Sequence, residues 1–147
     1  MTAVDVQGTA VTIDASAVAA WLLPDEASTA GDRLYAQALL RPGAFQAPAL
    51  LAWEAAHLLA MAQRRGRLTA DHADAALALL TKAGVRLEGV PDGRRLQATL
   101  DLARMHALTV YDASYLEQAL RTSAQLATKD AALKRQAARA GVECLDL

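Results

Sequence analysis

Ala10-Val11-Thr12-Ile13-Asp14-Ala15-Ser16 reads as the end of one element and the start of another. Val11, Thr12 and Ile13 are β-branched and favour extended backbone. The residues that follow are rich in Ala, Val and Leu until Pro24, which predicts a helix from about Ser16 to Leu23. A strand of about Ala10–Asp14 feeding straight into a helix is half of a βαβ unit, and the pattern recurs along the chain.

Ser28 or Thr29 caps a second predicted helix through Leu40, and Arg41-Pro42-Gly43 is a turn. A short extended piece, Ala44–Ala47, precedes Pro48, which suits the start of a helix running to about Arg65 and ending at Gly66. In that helix Leu51, Ala55, Leu58, Leu59 and Ala62 follow helical spacing. Thr69 caps a helix that stops near Lys82, Val85–Leu87 is a strand, and Asp92 caps a helix to about His106. A helix Asp112–Arg121, a strand Gln125–Thr128, a helix Ala131–Ala140 and a last strand Val142–Leu145 complete the reading. Ser114 and Glu117 form a capping-box pattern near the start of the Asp112 helix. The alternation argues for an α/β fold, a parallel sheet with helices on both faces, whose sites lie beyond the strands' carboxyl ends. Residues 1–9 read as a short lead-in without the basic flank and apolar core of a signal peptide, and residues 10–147 as one domain.

The composition narrows the classes further. At 147 residues the chain can bury a real core, and 54% hydrophobic against 21% charged content argues against disorder. Aromatics make up only 4%, so Ala, Leu and Val must build that core. A formal net charge of -1 gives no global field for nucleic acid, so any such contact rests on local patches or a metal. One cysteine, Cys144, excludes an intrachain disulfide framework and fits a reduced, cytoplasmic setting. No apolar stretch is long enough to span a bilayer, and no glycine-rich phosphate loop is present. His57, His72 and His106 are dispersed without metal-ligand spacing.

Four carboxylates stand out: Asp14, Glu54, Asp112 and Asp130. Each Asp, taken singly, is explained as a helix cap, and Lys134, four residues beyond Asp130, could pair with it. Glu54 is harder to explain, because it interrupts an apolar helix with no Lys or Arg three or four residues away. If strand ends and helix starts bring the four together, like charges raise each other's pKa unless a cation neutralises them. An all-oxygen cluster suits Mg²⁺ or Mn²⁺, and with it metal-assisted phosphate chemistry.

The segments Val11-Thr12-Ile13-Asp14-Ala15-Ser16, Ala49-Leu50-Leu51-Ala52-Trp53-Glu54, Tyr111-Asp112-Ala113-Ser114-Tyr115-Leu116 and Leu126-Ala127-Thr128-Lys129-Asp130 resemble, in order and spacing, a PIN-domain ribonuclease. The likeness is to a VapC-type toxin of a toxin–antitoxin pair and covers Val11 to Leu145. It implies a PIN-like parallel sheet and a metal-dependent endoribonuclease. Asp14, Glu54, Asp112 and Asp130 would hold Mg²⁺ or Mn²⁺, with Ser16 and Thr128 near the metal or scissile phosphate. It also implies a homodimer, an RNA substrate and a cognate antitoxin lying across the early helices, where Trp21, Leu22, Leu23 and Tyr35 are expected to offer apolar surface.

Two basic clusters, Arg64, Arg65 and Arg67 at one helix end and Lys134, Arg135 and Arg139 on the last helix, are either dipole compensation or RNA-phosphate contacts; Lys129 likewise faces phosphate or solvent. Other readings compete. A haloacid-dehalogenase-like phosphohydrolase would use Asp14 as nucleophile, but usually wants an acid where this chain has Ser16. A receiver domain wants an acidic pair that this chain lacks. A non-catalytic RNA-binding or scaffold domain would keep the fold without cleavage.

Overall fold

Side-chain alternation in one three-residue strand explains how both faces of the sheet are covered. In a computed structural model describing residues 8–147, Val11, Thr12 and Ile13 form β1 (Val11–Ile13). It pairs in parallel with β2 (Phe45–Pro48) and β4 (Gln125–Ala127), and β2 pairs in parallel with β3 (Arg86–Glu88), giving the order β3-β2-β1-β4. Val11 lies opposite Phe45, and Thr12 opposite Gln46. Neighbours in register share a face. On the first face the Phe45 ring meets Trp21 of α1 (Ala15–Leu22) edge-on at 6.3 Å. On the second, Thr12 Oγ1 donates to Gln118 Oε1 of α6 (Val110–Thr122) at 3.0 Å, and Gln46 Nε2 donates to Thr12 Oγ1 and to Thr122 Oγ1 at 3.2 and 2.6 Å. Thr12, Gln46 and Gln118 are buried, so α6 is keyed to the sheet by hydrogen bonds where α1 is keyed by ring packing.

The remaining helices are α2 (Thr29–Leu40), α3 (Leu50–Arg64), α4 (Ala70–Ala83), α5 (Gly93–His106) and α7 (Ala131–Arg139). Helix α1 packs against α2, α3 and α4, while α5 and α7 pack against α6. Gly31 permits the α1–α2 approach: a Cβ there would lie 2.7 Å from Ala20 Cβ, and the Trp21 indole donates to Gly31 O at 3.0 Å. Asp14, Ser28, Thr69, Asp92, Thr109 and Asp130 cap their helices through side-chain oxygens, as the type of each residue favours. The core is built of Ala, Leu and Val with few aromatics.

Several boundaries differ from the sequence reading. Pro48 closes β2 rather than opening α3. Helix α6 starts two residues before Asp112, because Thr109 Oγ1 already accepts the Asp112 N–H at 3.0 Å. Ser114 and Glu117 therefore form no capping box: Ser114 Oγ donates to Tyr111 O, and Glu117 binds Arg121. Val142–Leu145 makes no strand, only a single bridge between Cys144 and Leu126, since after Gly141 the chain meets the β4 edge at one point. A short 3₁₀ turn, Pro24–Glu26, follows α1. The expected lead-in falls, up to residue 7, outside the described residues. Among the described residues no helix is long and apolar enough to cross a membrane.

Candidate active site beyond the ends of β1 and β4

From β1 the chain adds β2 and then β3 on one side and returns to add β4 on the other, and a crevice forms beyond the carboxyl ends at such a reversal. Asp14 stands there. Its backbone N–H still belongs to the sheet, donating to Ala127 O at 3.1 Å, while its side chain caps α1 by accepting from Ala17 N at 3.0 Å. The same carboxylate accepts from Ser16 Oγ at 2.7 Å and, on its other oxygen, from Thr128 Oγ1 at 2.5 Å. Each hydroxyl is itself held: Ser16 Oγ accepts from Lys129 N at 2.8 Å and Thr128 Oγ1 from Asp130 N at 3.0 Å. Ser16 and Thr128 thus tie the first turns of α1 and α7 around one carboxylate that is only 4% exposed.

The other acids come from three further helices. Glu54 projects from α3, half-buried, and accepts from Tyr115 Oη of α6 at 2.7 Å. Asp112 lies in the first turn of α6, and Asp130 caps α7 by accepting from Leu133 N at 2.7 Å. Burial pushes the Asp14 carboxyl above its usual value despite three hydrogen bonds, and the charge of Asp112 adds to the rise. Burial also raises Glu54, against the Tyr115 hydrogen bond and with the charges of Asp14 and Asp112. Asp112 is raised by burial and by Asp130. The charges thus link Asp14 and Asp112 to Glu54, Asp112 to Asp14, and Asp130 to Asp112. Among the described residues none forms an ion pair with Lys or Arg.

Tyr115, which sequence reasoning left without a role, is buried and its hydroxyl is pushed far above its ordinary pKa by burial and by Glu54. It stays protonated and serves Glu54 as a fixed donor. The available signal was its position three residues after Asp112, which puts both on one face of the helix.

The donor set fits a hard divalent cation: carboxylate and hydroxyl oxygens, with crowded negative charge left uncompensated. Yet among the described residues no three acids, His or Cys converge closely enough to hold an ion together.

The basic residues divide. Arg67 makes a bidentate pair with Asp25 at 2.7 and 2.8 Å, whereas Arg64 and Arg65 are exposed where α3 ends, about 15 Å along the helix from Glu54. The expected Lys134–Asp130 pair is not formed; Lys134 Nζ lies 4.0 Å from Asp146, because Asp130 is turned onto the first turn of α7 as its cap. Lys129 Nζ reaches Glu26 O at 3.4 Å, and Arg135 and Arg139 are exposed on α7.

A larger groove lies elsewhere. It is apolar, about 500 Å³, and runs between α1, α2 and α4. The expectation of surface at Trp21, Leu22 and Leu23 needs correction: all three are buried, Trp21 against Tyr35 at 5.2 Å, and the exposed large apolar residues of the groove are Leu39 and Leu79. Without a carboxylate cluster this groove offers contact area rather than chemistry.

The chain is thus a parallel α/β domain with carboxylates beyond the ends of β1 and β4 that, among the described residues, have no Lys or Arg partner. Within that class, a model of the PIN domain matches residues 11–139, and the chain belongs to the PIN-domain family. A curated relative, Ribonuclease VapC3 of Pyrobaculum aerophilum, is 34% identical over 118 residues, covering 80% of this chain and 87% of the relative. The crystal structure of PAE2754 from Pyrobaculum aerophilum superposes with a TM-score of 0.70 at 25% identity, covering 93% of this chain and 91% of that one.

Proposed function

We propose that residues 10–147 work as a metal-dependent endoribonuclease that hydrolyses RNA phosphodiester bonds with Mg²⁺ or Mn²⁺. The observation that carries this reading is Asp14: a buried carboxylate, fixed by two hydroxyls and a backbone N–H, close in charge to Glu54 and Asp112 and, among the described residues, without an ion-pair partner. The name of the VapC3 relative supports RNA as substrate. Asp14, Glu54, Asp112 and Asp130 would hold the ion, directly or through its water shell. A divalent ion bound there would supply charge for a phosphate oxygen and acidify a water. Ser16 and Thr128 orient the Asp14 oxygens, and Tyr115 orients Glu54. The first turns of α1, α6 and α7 add N-terminal helix dipoles that favour a phosphate.

The same reading makes the chain a cytoplasmic toxin of a toxin–antitoxin pair. It forms a homodimer, which light scattering of the purified protein tests, and a cognate antitoxin segment lies in the α1–α2–α4 groove and extends to the acids. The direct test is cleavage of single-stranded RNA in Mg²⁺ or Mn²⁺, abolished by EDTA and restored by Mn²⁺. Hydrolysis of an aryl phosphate with RNA left intact would favour another phosphohydrolase, and RNA binding without cleavage would favour a scaffold.

A further inference from the structure

We propose that Trp53 and Tyr111 form a stacking platform for an unpaired nucleobase beside the acids, so that the enzyme selects single-stranded RNA by stacking next to the scissile phosphate. This inference rests on the ribonuclease reading and adds its recognition element. The chain has two Trp, three Tyr and one Phe. Trp21, Phe45 and Tyr115 are buried and Tyr35 half-buried, leaving Trp53 at 77% and Tyr111 at 65% exposure. Both line one groove of about 400 Å³, together with Leu50, Leu58, His57 and Glu54 itself. Volumes of about 300–1,000 Å³ are typical of ligand sites.

The placement follows from the chain. Trp53 immediately precedes Glu54 on α3, and Tyr111 immediately precedes Asp112 on α6. Each aromatic is therefore carried by the same helix turn as an acid, one step round the helix toward solvent. A phosphate at the acids puts the adjoining base within reach of this groove. The Glu54 carboxylate at the groove disfavours a bare phosphate chain, whereas an aromatic face accepts the π-face of any base. Exposed His57, one turn beyond Trp53, lies on the same wall and can meet a base edge or a flanking phosphate.

The test uses the full chain carrying Asp14→Asn, so that the probe is not consumed, with a mixed-sequence single-stranded RNA oligonucleotide and the same sequence as a duplex. Single-stranded RNA should bind more tightly than the duplex and quench tryptophan fluorescence, a signal that reports Trp53 because Trp21 is buried. Trp53→Ala should remove the quench and weaken binding about 5- to 150-fold, and Tyr111→Ala should weaken it within the same range. Trp53→Phe should restore most of the affinity. In the parent, Trp53→Ala should raise KM and spare kcat. Cleavage by the parent with Trp53→Ala indistinguishable from it overturns the stacking platform alone. Binding and quenching without parental cleavage supports the platform and overturns the nuclease reading. Trp53→Ala that turns a dimer into a monomer by light scattering assigns the patch to a second copy of the chain and overturns the proposal, as does a parent that binds no RNA.

Discussion

Two acidic clusters sit at the same end of the sheet, and only one is neutralised. Glu88, the last residue of β3, accepts from Arg121 of α6 at 2.8 and 3.0 Å and pairs closely with Arg95 of α5, while Arg121 also binds Glu117 at 2.7 Å. Burial alone would raise Glu88, but the Arg121 hydrogen bonds and the two arginine charges override it and hold Glu88 below its usual value. Asp14, at the end of β1, has hydroxyls and a backbone N–H but no cation, and it is raised. The first arrangement is complete within the protein and braces α5 and α6 against β3. The second, among the described residues, has no Lys or Arg partner. Perturbed carboxylates left in that state are candidates for a functional site.

The sharpest way to break this comparison is a pair of isosteric neutral variants. Asp14→Asn should lower RNA cleavage by more than about 100-fold, since removing mere hydrogen-bonding partners of metal-binding groups already costs about 10–100-fold. Its melting temperature in EDTA should stay near the parent's, because Asn caps a helix as Asp does and like-charge crowding is relieved. Glu88→Gln should do the reverse, leaving cleavage unchanged and costing roughly 1 kcal/mol, about 2–4 °C, because its partners are partly exposed. Equal loss of activity in both variants, measured beside thermal melts, would erase the distinction between the clusters.

Tyr115→Phe should reduce cleavage about tenfold, with about 1 kcal/mol lost from the missing hydrogen bond. Because that bond lowers the Glu54 pKa, its removal should move the acidic limb of the pH–rate profile to higher pH. A profile that keeps its shape would make Tyr115 a packing residue only.

The smallest effect is on stability against pH. Asp14, Glu54 and Asp112 are all raised, so between their ordinary and raised values the folded chain binds more protons than the unfolded one. Metal-free protein should therefore gain a few degrees of melting temperature, on the order of 1 kcal/mol, as pH falls from 7 toward the ordinary carboxylate range. Further acidification reverses the trend, because Asp25 and Glu88 are lowered and their arginine pairs are lost as they protonate. With Mn²⁺ bound, the gain should disappear, since protons compete with the ion for the same oxygens. A metal-free protein that only loses stability below pH 7 would contradict the uncompensated cluster.

Much of the frame was legible beforehand because it is local. Thr69, Asp92 and Asp130 announce helix starts through their own side chains, and Gly84, with φ of 65°, ends α4 where the backbone turns left-handed. The reading failed where two local signals competed. Thr109 outcompeted Asp112 and Ser114 for the α6 cap, and Asp130 spent its carboxylate on its own helix rather than on Lys134. Val142–Leu145 has strand-forming residues, but strand pairing needs a partner in register over more than the one bridge to Leu126.

By itself the sequence determined the alternation of short strands and helices, the Ala- and Leu-rich core, and the residue types at the strand ends, since these follow from backbone preference and hydrophobic spacing within a few residues. Only the tertiary structure decided which acids are left without a cation. Arg121 and Arg95 reach Glu88 from 33 and 7 residues away, Tyr115 reaches Glu54 across 61, and Thr128 reaches Asp14 across 114. The sign and neutralisation of a buried charge depend on such long-range neighbours and on solvent exclusion, neither of which is encoded in any short stretch of chain.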